Sequence, residues 1–110
     1  MIEETIRQIE RRIQGIPALS DEKKRELSEL VSTLKSEVMS LARTHTDHAE
    51  SIVRFADLST HEAARKDGRP ELQNLSRRGL SASVEGFETT HPRLVEAVNS
   101  ICLMLSNLGI

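Results

Sequence analysis

The stretch "VMSLARTHTDHAESIVRF", residues 38–55, decides the fold, because it either carries one helix through its middle or turns the chain back. Upstream of it, Leu27, Val31, Leu34, Val38 and Leu41 repeat at intervals of four, three, four and three, the rhythm of a helix that buries a narrow apolar stripe. Continued without a slip, that rhythm selects His45, His48, Ile52 and Phe55. It predicts one helix over residues 21–66, roughly 65 Å long at 1.5 Å per residue and about twice the diameter of a compact domain of this length. The competing reading is a break at residues 44–47, where Thr44 and Asp47 have the spacing of a capping box. The unbroken helix is the expectation carried forward.

The flanking signals are local and sharper. Ile2, Ile6, Ile9, Ile13 and Ile16 mark a first helix over residues 2–15, weakened by Gly15 and stopped by Pro17, whose ring removes a backbone donor. Ser20 reads as the N-cap of the second helix, with Asp21 and Glu22 set against the positive end of its dipole. Asp67, Gly68, Arg69 and Pro70 form a turn in which Gly68 permits a left-handed backbone and Pro70 suits a first helical turn. A third helix then spans residues 70–89 with Leu72, Leu75, Leu80, Val84 and Phe87 as its stripe. Gly79 and Gly86 inside it point to a close helix contact or a local break. The last helix, residues 92–108, opens at Pro92 and repeats Leu94, Val98, Ile101, Leu105 and Leu108. Gly109 at C′ and Ile110 at C″, touching Leu105, would close it as a Schellman motif.

Composition narrows the class. Only Phe55 and Phe87 are aromatic, and the apolar remainder is mostly Leu, Ile, Val and Ala, which favours helices packed on helices. The 110 residues are one domain's worth of chain. Charged residues make up 29% with both signs interspersed and a net charge of −2, so no field gathers nucleic acid or anionic lipid. Arg65, Lys66, Arg69, Arg77 and Arg78 make one region basic, but Asp67 and Glu71 lie among them with no aromatic side chain to stack on bases. The single Cys102 has no internal disulfide partner and reads as a small buried hydrophobe. With no signal peptide and no apolar run long enough to span a bilayer, a cytoplasmic protein that binds neither membrane nor nucleic acid is expected.

The C-terminal stretches "FETTHPRL", residues 87–94, and "LSNLGI", residues 105–110, closely resemble the end of a family of small bacterial helical proteins, domain-of-unknown-function family 4404. The resemblance covers about the last 30 residues specifically and the first 43 more loosely. Typical members pass almost directly from the second helix to the third, so residues 44–70 look like an insertion. The resemblance implies a helical fold and supplies no activity.

Few side chains suggest chemistry. His45 and His48, three apart, could share a transition-metal ion, with Asp47 and Glu50 nearby, His61 approaching, or a second pair arriving across a dimer seam. The competing reading makes them polar seam residues that fix helix register. His91 with Glu88 suggests an acid/base pair, but no nucleophile, elbow motif or Gly-rich phosphate loop accompanies it. The structural reading has His91 accept from the free amides of the last helix while Glu88 orients its other nitrogen, with Phe87, Pro92, Gly109 and Ile110 as further structural residues.

The expectation is therefore an all-α single domain: an elongated antiparallel bundle or coiled-coil hairpin of about four helices, one of them long. Its bare stripe would be covered by a second copy. Functionally it implies a non-catalytic interaction or scaffold protein, with no cofactor and an unidentified protein partner. The alternative is a metal-binding helical protein using His45 and His48 across the dimer.

Overall fold

The computed structural model describes residues 1–108. Its helices are α1 (Ile2–Gln14), α2 (Asp21–Leu41), α3 (Thr46–Ala64), α4 (Pro70–Ser83) and α5 (Pro92–Asn107), with no strand among the described residues. The all-α bundle expected from composition is what forms. Gly109 and Ile110, and with them the expected Schellman closure, lie outside the described residues.

The helix expected over residues 21–66 is two helices. After Leu41 the ladder tightens, with the Arg43 and Thr44 amides donating to the Ser40 and Leu41 carbonyls three residues back at 3.2 and 3.1 Å. His45 then leaves helical space at φ −136°, ψ 67°. Backbone and side chains close the corner together: the Leu41 carbonyl accepts from the Thr44 and His45 amides at 3.1 and 2.8 Å and from the Thr44 hydroxyl at 3.4 Å, and the Thr46 hydroxyl donates to Ala42 O at 3.0 Å. A helix continuing straight would overrun a molecule whose principal extents are 38 × 24 × 22 Å. Two helices of about 30 Å each, joined by so short a corner, fit that volume only if the chain reverses there, with α1 between them.

Folding back changes which residues are buried. The buried stripe of α3 is Ala49, Ile52, Val53, Ala56, Ser59 and Thr60. His45, His48 and Phe55, which the continued rhythm placed in the seam, are exposed. The small residues of this stripe let α3 pack between α1 and α4, while α5 packs on α2 and α4, so that the chain closes a ring in the spatial order α1, α2, α5, α4, α3. Ile6, Ile9, Ile13 and Ile16 fill one side of the core and Leu94, Val98, Ile101 and Leu105 the other. Arg12 clips α1 to α3 by ion pairing with the Asp57 carboxylate and donating to the Asp57 carbonyl at 3.0 Å.

Several local signals act as read. Ser20 accepts from the Lys23 amide at 3.2 Å, and Pro70 and Pro92 each stand in the first turn of a helix. The third expected helix ends six residues early, at Ser83 rather than residue 89. With Val84 as the C-cap of α4, Gly86 takes φ +95° in the turn that follows, and it is Gly86 rather than Gly68 that uses the left-handed freedom. Its amide donates to both Glu88 carboxylate oxygens at 3.0 and 2.9 Å.

Gly79 has a different reason. A Cβ there would lie 2.6 Å from Cδ1 of Phe55, so the phenyl ring occupies the space a side chain would need. Replacing Gly79 by Ala should therefore bring no gain, or a loss, while Phe55 is present. In a Phe55→Ala background the same change should stabilise by about 0.5–1 kcal/mol, the ordinary helix-propensity difference. Denaturant melts of the four proteins at low concentration check this, and the same gain in both backgrounds would refute the contact.

Candidate functional site

Two surfaces bring together the residues of interest. The first is the corner where α2 meets α3 and α4 meets α5. His45 and His91 are the N-cap residues of α3 and α5, with nearly the same backbone: φ −136°, ψ 67° and φ −138°, ψ 62°. Each ring nitrogen Nδ1 is hydrogen-bonded to the hydroxyl of the preceding threonine, Thr44 at 2.8 Å and Thr90 at 3.0 Å. The half-buried Phe87 ring lies between the two corners, and His45, His48 and His91 meet it edge to face at centroid distances of 5.7, 5.5 and 5.7 Å. The sequence signal for this arrangement is the repeated Thr-His dipeptide in "THTDHAE", residues 44–50, and "THPRLVE", residues 90–96.

This geometry revises the readings of the histidines. Neither His45 nor His91 makes a side-chain cap bond, so the capping role expected for His91 is not made; its ring packs on Phe87 instead. Glu88 holds the Gly86 amide and does not orient His91. His61 is not near the corner: it lies some 24 Å along α3 from His45 at 1.5 Å per residue, with its Nε2 3.9 Å from Glu62. The His45 and His48 rings are 5.9 Å apart. Among the described residues no group of three or more His, Cys, Asp or Glu side chains is arranged to hold a metal ion. The third imidazole the fold supplies, His91, is on Phe87, which occupies the space where three rings would converge.

The remaining polar candidates are tied into local structure. Arg65 donates to Asp67 at 3.1 and 3.0 Å and to Glu62 at 3.0 Å. Its hydrogen bonds to Asp67 hold that exposed carboxyl below the ordinary aspartate range, with the opposite charge adding to the effect. The basic cluster is thus partly neutralised at its centre. Cys102 is partly buried, its thiol 3.7 Å from the Arg77 carbonyl, and burial pushes its pKa up despite the nearby Arg77 charge. That is the opposite of thiolate activation.

The second surface is apolar. Phe55, Leu58 and Leu75 are 37%, 43% and 58% exposed, and with Leu72 and Gly79 they line a groove of about 490 Å³ between α3 and α4. Leu75 was expected in the core stripe, but the buried positions of α4 are Ser76 and Leu80. The helix carries two apolar stripes, one turned inward and one outward. The Phe55 contact with Gly79 sets the level of the two antiparallel helices, so Leu58 stands beside Leu75 and Ser76 at the centre of the groove. A second groove, between α2 and α5, exposes Leu103 but is bordered by Glu26 and Glu29.

The fold and its surfaces define a small all-helical bundle protein in which no described helix is long and apolar enough to cross a membrane. The chain belongs to the family described as a domain of unknown function (DUF4404), which matches residues 27–110. The span includes α3, the helix that resembled an insertion and that packs on α1 and α4. No curated protein and no solved structure is significantly similar to the chain.

Proposed function

We propose that this protein is a non-catalytic helical interaction protein that acts by self-association, a second copy docking on the α3/α4 face. The observation that carries this reading is that Phe55, Leu58 and Leu75 are exposed side by side between α3 and α4, whereas the α2/α5 groove exposes Leu103 beside Glu26 and Glu29. A second copy is the occupant we assign because the apolar centre, Leu58 beside Leu75, can stack on itself across a two-fold axis. The dimer once required by a bare long helix has no basis, since Ile52 and Val53 are fully buried within one copy. Self-association here rests on a different surface. The lone, partly buried cysteine is compatible with a reducing compartment, and the cytoplasm is the setting we assign.

Light scattering over a range of concentrations should give a mass approaching twice 12.3 kDa for the wild type. A Leu58→Ser, Leu75→Ser variant should keep its helical circular dichroism and stay at 12.3 kDa. A wild-type mass of 12.3 kDa at every concentration would remove the proposal.

Metal binding by His45 and His48 is the second reading, favoured by the 5.9 Å approach of their rings at the N-cap and third position of α3. Two imidazoles alone leave a transition-metal site incomplete. Elemental analysis of untagged protein checks it: stoichiometric metal that disappears in a His45→Ala, His48→Ala variant would support this reading, and metal-free wild type after incubation with Zn²⁺ would end it.

A further inference from the structure

We infer that the Asp67–Gly68 bond, in the turn joining α3 to α4, is the isoaspartate-forming site of this chain, and that Arg65 restrains the reaction by gripping the Asp67 carboxylate. The reaction is spontaneous and needs only water. The Gly68 amide nitrogen attacks Cγ of Asp67; the N–Cγ bond forms, and the carboxyl OH leaves with the amide proton as water, closing a five-membered imide. A second water then opens the ring. Opening at Cγ restores aspartate, whereas opening at the Asp67 main-chain carbonyl carbon leaves the chain running through Cβ and Cγ. That product has the original mass, one more backbone atom in the turn, and a free carboxylate on Cα.

The surroundings single out this bond. Asp67 is the aspartate that precedes a glycine, and Asp21, Asp47 and Asp57 all lie within helices. Asp67 and Gly68 are exposed, and the Gly68 amide makes no backbone hydrogen bond among the described residues. With no Cβ on Gly68, its nitrogen is open to the neighbouring carboxyl. The restraint is equally local. Nε and Nη2 of Arg65 donate to the two Asp67 carboxylate oxygens at 3.1 and 3.0 Å, a planar fork that engages both. Exposed ion pairs are commonly too mobile to hold a geometry. This guanidinium is anchored from its other side, where Nη1 donates at 3.0 Å to Glu62, whose side chain is only 8% exposed. Closing the imide expels one of the gripped oxygens, so the fork must break before the ring can form. The oxygen that leaves must also carry a proton, and the bonds from Arg65 hold the Asp67 carboxyl below the ordinary aspartate range, so less of that protonated form is present.

The full-length wild type, Arg65→Gln, and Arg65→Gln combined with Gly68→Ala test this on incubation at physiological temperature and mildly acidic pH. Isoaspartate is quantified by enzymatic methylation and located by peptide mapping. It should accumulate at Asp67 about threefold or more faster in Arg65→Gln than in wild type, and the added Gly68→Ala should abolish it. The two rates should converge as pH falls through the aspartate range, because the carboxyl is then protonated with or without Arg65. A second comparison needs no variant: wild type in guanidinium chloride, where the fork is lost, should react at Asp67 faster than native wild type by at least the same factor. Equal rates in wild type and Arg65→Gln with both helical by circular dichroism, a gap undiminished in acid, or equal rates in native and denatured wild type would overturn the restraint. Isoaspartate arising chiefly at another residue would overturn the site.

Discussion

The reversal of the chain at Thr44 and His45 is the constraint on which the rest of the structure depends. Where α2 ends, the Leu41 carbonyl accepts from the Thr44 and His45 amides and the Ala42 carbonyl from the Thr46 hydroxyl, all at the site of the turn. Because the corner is satisfied locally, α3 can lie back along the molecule and bury Ile52 and Val53 with α1 and α4 around it. The α1 isoleucines would otherwise have only α2 to cover them. The ring of five helices closes only because α3 supplies the link between α1 and α4.

The punctuation of this sequence was legible where its cause was local. Ser20 caps, Pro17 stops, and Pro70 and Pro92 start helices, because one side chain and the adjoining backbone determine the outcome. The reversal was not legible because His45, His48, Ile52 and Phe55 continue the rhythm of α2, while the true inward stripe of α3 shares only Ile52 with it and otherwise adds Val53 to the small residues Ala49, Ala56 and Ser59. Small residues bury well but announce nothing in a hydrophobicity pattern. Leu75 misled for the converse reason: a large apolar side chain reads as core, although the inward positions beside it are Ser76 and Leu80. Of the two glycines in the third expected helix, Gly79 admits the Phe55 ring, and Gly86 falls in the turn beyond the helix end at a left-handed backbone.

Of the candidate site, the sequence named the histidines but not their company. His45 and His48 lie close together, as three-residue spacing implies, yet His91 rather than His61 joins them, brought in by a second corner of the same backbone geometry. The apolar face escaped notice because it is assembled from α3 and α4, which pair only after the chain has turned. Its three exposed large side chains are separated by up to 20 positions in sequence, Phe55 to Leu75, and become one surface through tertiary packing. The core itself is complete in one copy.

The reversal itself is tested most directly by a distance. Spin labels on Glu22→Cys and His61→Cys, introduced into a Cys102→Ala background and diluted with unlabelled protein, report the separation between the start of α2 and the end of α3 by pulsed electron resonance. The folded-back corner places the pair well inside the 38 Å long axis of the molecule. A dominant separation near 58 Å, about the length of an uninterrupted helix between those positions, would contradict the account.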